Sequence, residues 1–110
     1  GSVIAIEPFA TTGSGSVHEA TRAEIYQVVG DAPVRSPTGR KILKKADEMC
    51  GLPFSRRWLG IPKAELAIPM LLKQGNLYDY HVLSDVAGSF VSQFEHTVIV
   101  TEDEPIITTL

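Results

Sequence analysis

The chain has 110 residues, of which 44% are hydrophobic and 21% are charged, with a formal net charge of -3 at pH 7. This length allows one domain with a buried core, and no apolar run approaches the roughly 20 residues that cross a membrane. The single cysteine, Cys50, excludes an intramolecular disulfide and fits a reducing, cytoplasmic setting. The start at Gly1, without a methionine and directly before a strand-like run, suggests a fragment of a longer protein.

The N-terminal residues predict two strands joined by a turn. Residues 3–9 form a short apolar run, and residues 19–29 are typical of a second strand. Between them, residues 11–16 are rich in threonine, glycine and serine. This segment lacks the lysine and the spacing of a phosphate-binding loop, so we predict a turn that uses the positive φ angles of glycine.

A helix is predicted to begin after Ser36, with Pro37 in its first turn and Gly51 as its C-terminal cap. Helical spacing places five apolar residues on one stripe of this helix: Ile42, Leu43, Ala46, Met49 and Cys50. Cys50 is therefore expected to be buried and chemically inert.

Two further helical segments are predicted before the chain returns to strands. Residues 54–59 are expected to form one or two helical turns, and residues 62–74 a third helix. Pro69 is expected to kink this third helix, because proline has no N–H for the carbonyl four residues earlier. The inward positions of the third helix are predicted to be Leu66, Met70 and Leu71.

The C-terminal part of the chain is predicted to form strands. Residues 77–83 and 90–100 flank a turn at residues 85–88, and a last hairpin through residues 101–105 leads to Ile106. Three helices followed by a hairpin is the order of elements in a winged-helix domain. The predicted fold class is α+β.

Charge is strongly segregated along the chain. Residues 35–73 contain nine basic and three acidic residues, whereas the rest of the chain contains ten acidic residues and Arg22 as its only lysine or arginine. Two parts with different roles are implied. The basic part could bind nucleic-acid phosphates without base specificity, including RNA of the ribosome. The alternative is a solvated basic helix face, which is the more common cause of such a pattern.

Two glutamates stand in strand-like apolar runs near opposite ends of the chain. Glu7 follows Ile6, and Glu95 lies between Phe94 and His96. A carboxylate in a core strand is costly to bury unless it is paired, hydrogen-bonded or bound to a metal. Either glutamate alone could be satisfied by a salt bridge or at a sheet edge, but the two together favour a metal site. His96 is expected on the opposite face from Glu95, because successive strand residues alternate.

Three segments of the chain resemble type II methionine aminopeptidases, in the shorter archaeal style. Residues 4–11, IAIEPFAT, resemble the strand of that family that carries a metal-binding glutamate. Residues 52–59, LPFSRRWL, resemble its helical insertion, and residues 93–97, QFEHT, resemble the segment with its last metal ligand. The three motifs occur in the order that they have in the family.

The resemblance implies the C-terminal part of a pita-bread fold with an inserted winged-helix-like subdomain. Residues 1–30 would be the first pita-bread strands, residues 31–88 the insertion and residues 89–110 the last strands. The family removes the N-terminal methionine from nascent proteins with two divalent metal ions, Mn, Co or Fe. By motif position, Glu7 would be a metal ligand and the catalytic acid/base, and Glu95 a bridging metal ligand.

The other metal ligands of the family, two aspartates and a histidine, have no counterpart in this sequence. The resemblance places them in a preceding N-terminal half, so the chain alone is expected to bind metal weakly and to be inactive. The implied partners are that missing half and a nascent peptide with N-terminal methionine, and the ribosome is a further candidate. No membrane partner is expected.

The resemblance also implies a pocket for the methionine side chain. By position in the family, this pocket is expected to be lined by Phe9, Pro53, Tyr80 and Leu83, with His81 as a further substrate contact. Aromatic and aliphatic walls suit a thioether. Without the resemblance, Phe9, Tyr80 and Leu83 would be interpreted as ordinary core residues.

Overall fold

The computed structural model describes residues 1–110 and groups them into two compact units. Unit 1 consists of residues 1–18 and 83–110, and unit 2 consists of residues 19–82. Two helices and several sheets make up the units, so the predicted α+β class is confirmed. No helix combines the length and the apolar character needed to cross a membrane. The predicted domain boundaries at residues 30 and 88 stay a prediction.

The elements follow one another in mixed order along the chain. They are β1 (Val3–Ile6), β2 (Phe9–Thr11), β3 (His18–Val28), α1 (Pro37–Asp47), β4 (Phe54–Ser55), a 3-10 turn (Arg56–Trp58), α2 (Ala64–Lys73), β5 (Leu77–Ser84), β6 (Val91–Gln93), β7 (His96–Ile99) and β8 (Ile106–Ile107). The predicted strand over residues 19–29 and the final strand after the last hairpin are confirmed, whereas the predicted strand over residues 3–9 is divided into β1 and β2. The predicted strand over residues 90–100 is divided into β6 and β7.

Unit 1 contains a three-stranded sheet, in which β7 lies between β1 and β8, and a separate pair formed by β2 and β6. Both the β1–β7 and the β2–β6 pairings are antiparallel. The first ends with Ile6 opposite His96, and the second begins with Phe9 opposite Gln93. Two residues on each segment separate these pairs, so both pairings share one register.

This shared register continues past the ends of the strands. Val100 N donates to Ser2 O at 2.8 Å, and Thr12 N donates to Phe90 O at 3.1 Å. The antiparallel segments therefore form one long two-stranded arrangement, which we name the ribbon. The ribbon comprises residues 2–12 and residues 90–100.

Unit 2 contains the hydrophobic core of the molecule. Its sheet has the order β4-β3-β5, and α1 and α2 pack against each other. The buried apolar side chains from both helices and the sheet form one cluster: Tyr26, Ile42, Ala46, Phe54, Leu59, Ala64, Ala67, Ile68, Leu71 and Leu77. Burial of this cluster supplies most of the hydrophobic free energy that stabilises unit 2.

Helix α1 begins as predicted and ends earlier than predicted. Ser36 Oγ accepts a hydrogen bond from Gly39 N at 3.2 Å, and Pro37 is the first helical residue. The helix ends at Asp47. Cys50 lies beyond it, with a φ of 59°, and is exposed, so the prediction of a buried thiol was wrong. The chain turns away from the core before Cys50, which takes its side chain off the helical stripe.

The segment after α1 is partly a strand instead of a helix. Phe54 and Ser55 are buried and pair with Tyr26 and Ile25 of β3, and only Arg56–Trp58 forms a single 3-10 turn. The predicted helix over residues 54–59 was therefore wrong at its beginning. Cross-strand pairing and burial of Phe54 outweigh the local helical preference.

Helix α2 runs without interruption through Pro69, which is exposed. Leu71 is fully buried and Met70 is half-buried, as predicted. Leu66 is exposed, so its inward assignment was wrong. The buried face of α2 consists of Ala64, Ala67, Ile68 and Leu71. Small alanines on that face let α2 lie close to its neighbours, and Leu66 points to the other side.

Candidate active site

The ribbon brings Glu7 and Glu95 to opposed positions. The pairings on either side leave two residues on each segment, and the shared register places Glu7 opposite Glu95 and Pro8 opposite Phe94. Directly opposed residues of an antiparallel pair project from the same face, with Cβ atoms about 4.5–5.5 Å apart. Two residues that are far apart in the sequence are therefore neighbours in the fold.

The strands are interrupted at this pair of carboxylates. Pro8 has no N–H, so it cannot donate a ladder hydrogen bond toward Phe94. The residues between β1 and β2, and those between β6 and β7, are not assigned to strands. Glu7 and Glu95 are both exposed. The interruption leaves two carboxylates accessible on one face of the ribbon.

The chemistry of this pair fits part of a divalent-metal site. Directly opposed like charges are destabilising in a sheet, and a cation between them would reverse the sign of that interaction. Carboxylate oxygens are hard donors that suit divalent ions such as Mn. No group of three or more His, Cys, Asp and Glu side chains converges in the structure. Glu7 and Glu95 thus fit an incomplete ligand set.

His96 follows Glu95, and its ring makes contacts of its own. The ring is half-buried, with Nδ1 3.0 Å from Thr109 Oγ1, and it packs edge-on against Phe94 at a centroid distance of 4.9 Å. Thr109 Oγ1 also accepts a hydrogen bond from Thr97 N at 3.0 Å. These contacts join His96 to Phe94 and Thr109 within unit 1.

The predicted pocket residues are divided between the two units. Phe9 and Leu83 belong to unit 1, and both are exposed. Pro53, Tyr80 and His81 belong to unit 2, where Pro53 and Tyr80 are exposed and His81 is half-buried. The assignment of these five residues to one pocket stays a prediction.

Tyr80 and His81 both make hydrogen bonds within unit 2. The Tyr80 hydroxyl donates to Gln27 Oε1 at 2.7 Å. His81 Nδ1 lies 2.6 Å from Ala20 O, and Nε2 lies 3.2 Å from Asp79 Oδ2. Both of these oxygens only accept, so a doubly protonated ring satisfies both. The hydrogen bond to the Ala20 carbonyl is the main reason that the pKa of His81 is raised, and the charge of Asp79 raises it further.

Asp85 is a buried carboxylate whose role the sequence did not reveal. It accepts four hydrogen bonds, from Ser14 Oγ at 2.6 Å, Thr11 Oγ1 at 2.9 Å, Gly15 N at 2.9 Å and Val86 N at 2.6 Å. These bonds, that of Ser14 above all, hold the pKa of Asp85 well below its usual range. The Thr/Gly/Ser turn offered a signal, because its many donors need an acceptor, but no pattern indicates which carboxylate accepts.

Known proteins match almost the whole chain. A methionine aminopeptidase of Pyrococcus abyssi is 48% identical over 114 residues, which covers 99% of the chain. One of Archaeoglobus fulgidus is 47% identical over 111 residues, again 99% of the chain. Methionine aminopeptidase 2 of Schizosaccharomyces pombe is 41% identical over 106 residues, or 90% of the chain. The chain is homologous to part of the methionine aminopeptidases. The resemblance inferred from the three motifs is therefore confirmed.

These methionine aminopeptidases are much longer than the chain. The match spans 39% of the Pyrococcus protein, 38% of the Archaeoglobus protein and 25% of the Schizosaccharomyces protein. The solved structure of a thermophilic Arx1 is also similar, with a TM-score of 0.77 and 25% identity over 96% of this chain and 29% of that one. No protein-family model matches the chain.

Proposed function

We propose that this chain supplies two metal-binding carboxylates to a methionine aminopeptidase of the pita-bread fold. Such an enzyme removes the N-terminal methionine from nascent proteins. The observation that carries the proposal is the register that sets Glu7 opposite Glu95. Homology to methionine aminopeptidases supports the reaction, and the likeness to Arx1 supports the fold.

The two glutamates have different roles in this proposal. Two divalent ions, Mn, Co or Fe, supply an activated water for hydrolysis of the first peptide bond when they are bound. Glu95 would be the second carboxylate that holds the metal ions. Glu7 would also hold a metal ion, and its carboxylate would take the proton that the attacking water loses and give it to the nitrogen of the leaving amine. Phe9 lies two residues after Glu7, on the same face of an extended segment, and is the proposed aromatic wall for the methionine thioether.

Two carboxylates alone form a weak site, because affinity depends on the number of ligands and on their preformed geometry. We propose that the remaining ligands come from an N-terminal half of the enzyme that this sequence does not include, and the greater length of the relatives supports this. The exposed apolar side chains of unit 1 give such a segment a surface to cover. The isolated chain is then inactive as a peptidase.

The test is methionine release from the peptide Met-Ala-Ser with added Mn or Co. The chain alone is expected to release none, and a mixture with the N-terminal part of the Pyrococcus abyssi relative is expected to release methionine. Glu7→Gln and Glu95→Gln should abolish release by the mixture. Glu102→Gln is the matched control, because Glu102 is an exposed carboxylate of the same unit that lies outside the pair.

Two outcomes would contradict the proposal. Release by the chain alone, lost in both glutamine variants, would mean that this chain holds a complete ligand set. If both parts are folded and no mixture of them releases methionine, the peptidase assignment is wrong.

The outward face of α1 supports a second candidate function, binding to RNA phosphates. Gly39, Ile42 and Ala46 are buried on one side of α1. Lys45 pairs with Glu48 at 2.9 Å, at the C-terminal end of this helix. The opposite side carries four basic residues, Arg40, Lys41, Lys44 and Lys45. A row of cations on one helix face suits a phosphate backbone.

A fluorescence anisotropy titration with a single-stranded RNA oligonucleotide tests this second candidate. Binding should fall steeply as salt rises, because bound phosphates release counterions. The double variant Lys41→Glu, Lys44→Glu should lose binding. Lys73→Glu, at the end of α2, is the control that changes charge on another helix. No binding at low salt would show that the basic face is only solvated.

A further inference from the structure

We propose that Asp85 is a positioning residue that keeps Glu7 opposite Glu95. The inference deepens the proposed function, since it rests on that function for the metal-binding role of the pair. Asp85 does not itself contact the pair. It acts through the Thr/Gly/Ser turn and the end of β2, which its carboxylate holds in place.

The ribbon needs such support because its two halves are stabilised unequally. The β1–β7 half has a third strand, β8, and contains Val98, which is buried. The β2–β6 half has only two strands, and an isolated pair of strands is marginally stable in water. Pro8 interrupts the ladder between the halves. Glu7 and Glu95 lie at that interruption, so their opposition depends on both halves.

Asp85 fixes the end of the weaker half. Thr11, the last residue of β2, donates its hydroxyl to Asp85 and accepts from Gly13 N at 2.9 Å. Ser14 and Gly15 donate to the same carboxylate. A Cβ at Gly13 would lie 2.7 Å from Asp85 Cγ, so only glycine leaves room for this contact. One buried carboxylate thus orders the whole turn that follows β2.

The Thr/Gly/Ser turn also closes the end of the ribbon. Thr12 N donates to Phe90 O at 3.1 Å, and Phe90 N donates to Thr12 Oγ1 at 3.0 Å. Ladder ends open more easily than ladder interiors, and opening spreads inward from the end. If the turn loses its carboxylate, fraying starts at Thr12 and spreads through β2 toward Glu7.

The experiment is NMR of the full chain without metal. In the parent chain, cross-strand NOEs should join the backbones of Glu7 and Glu95. The isosteric variant Asp85→Asn should lose these NOEs and exchange the β2 amides about tenfold faster, because local opening sets the exchange rate. NOEs between Ile4 and Val98, in the supported half, should remain. Asp103→Asn, which removes an exposed carboxylate of unit 1, should change neither signal.

A milder pair of variants separates positioning from general folding. Thr11→Val removes the hydroxyl that bonds Asp85 and should repeat the effect of Asp85→Asn. Thr11→Ser keeps the hydroxyl and should restore the Glu7–Glu95 NOEs. If Asp85→Asn and Thr11→Val leave these NOEs unchanged, the positioning role is wrong. It is also wrong if Thr11→Val removes the Ile4–Val98 NOEs as well, because Asp85 would then support the unit as a whole.

Addition of Mn²⁺ to the same samples distinguishes this inference from the proposed function. Paramagnetic broadening should centre on Glu7 and Glu95 in the parent chain, and Asp85→Asn should need about tenfold more Mn²⁺ for equal broadening. If Mn²⁺ broadens neither glutamate while Asp85→Asn still removes their NOEs, the metal role fails and the positioning role stands. If Mn²⁺ broadens both glutamates equally in parent and Asp85→Asn, the positioning role fails and the metal role stands.

Discussion

Unit 1 and unit 2 keep their structures by different means. Unit 2 buries a cluster of ten apolar residues, in which Phe54, Ile42 and Leu71 are completely inaccessible to solvent. Unit 1 buries one apolar side chain, Val98, and one carboxylate, Asp85. Its order comes from the ribbon and from hydrogen bonds to that carboxylate. Unit 2 therefore has a core of its own, whereas unit 1 depends on directional bonds.

The same contrast appears at the surface of unit 1. Many of its large apolar side chains are exposed: Val3, Ile4, Ile6, Phe9, Val17, Leu83, Val86, Phe90, Phe94, Val100, Ile106, Ile107 and Leu110. Extensive apolar exposure is typical of surfaces that pack against other protein. The two carboxylates of the proposed metal site, Glu7 and Glu95, lie in this unit, which has the smaller core.

The largest effect is expected from a substitution that creates a cavity in the core of unit 2. Phe54→Ala should lower the free energy of unfolding by about 3–5 kcal/mol, because a fully buried aromatic ring is lost and leaves a cavity. Urea denaturation followed by the fluorescence of Trp58, the only tryptophan and a residue of unit 2, measures this. Phe90→Ala, on a largely exposed ring of unit 1, is the control and should change stability by only about 0.5 kcal/mol. An equal loss of unfolding free energy in the two variants would contradict the contrast between the units.

Acid should weaken unit 1 before unit 2. Hydrogen bonds, led by that from Ser14, lower the pKa of Asp85 below its usual value of about 3.9. Their stabilisation is therefore fully present above about pH 4 and is lost as pH falls through the lowered pKa. Protection factors of the Gly15 and Val86 amides, which are NMR exchange rates corrected for the intrinsic rate at each pH, should fall as the solution is made acidic from pH 6, while Trp58 fluorescence stays constant. Asp85→Asn should remove this pH dependence, and a dependence that persists would contradict it.

A smaller effect is expected at the start of α1. Ser36→Ala should cost about 1 kcal/mol of stability, because Gly39 N loses the hydroxyl that caps the helix. Thermal or urea unfolding followed by Trp58 fluorescence measures the change. Ser36→Thr keeps a capping oxygen and should retain most of the stability. If alanine and threonine behave alike, the cap contributes nothing to unit 2.

The smallest effect concerns His81. The hydrogen bond to the Ala20 carbonyl, with the charge of Asp79, raises the pKa of His81 above its ordinary value of about 6.5. The resulting stabilisation of unit 2 is fully present below about pH 6.5 and is lost as pH rises through the raised pKa. An NMR titration of the imidazole protons should give a midpoint above 6.5, and Asp79→Asn should lower that midpoint. A parent midpoint at or below 6.5 would be contrary evidence.

Local sequence signals predicted the local structure well. Ser36 and Pro37 mark the beginning of α1 by hydrogen-bonding and φ preferences that act within one helical turn. Phe54 and Leu66 were assigned wrongly because each depends on a distant neighbour, whereas Cys50 was assigned wrongly because α1 ends before it. Phe54 joins β3 by pairing with Tyr26, and the exposed side of α2 at Leu66 is decided by which face meets the core. Periodicity describes a stripe but not the partner that covers it.

The sequence by itself determined that Glu7 and Glu95 are carboxylates within strand-like apolar runs. Its motifs also indicated the homology to methionine aminopeptidases. Only the tertiary structure decided that the two carboxylates face each other, because strand register depends on pairing between segments at opposite ends of the chain. It also decided that Asp85 is the acceptor for the Thr/Gly/Ser turn. A buried carboxylate takes whichever donors the fold brings to it, and those donors lie about 70 residues away in the sequence.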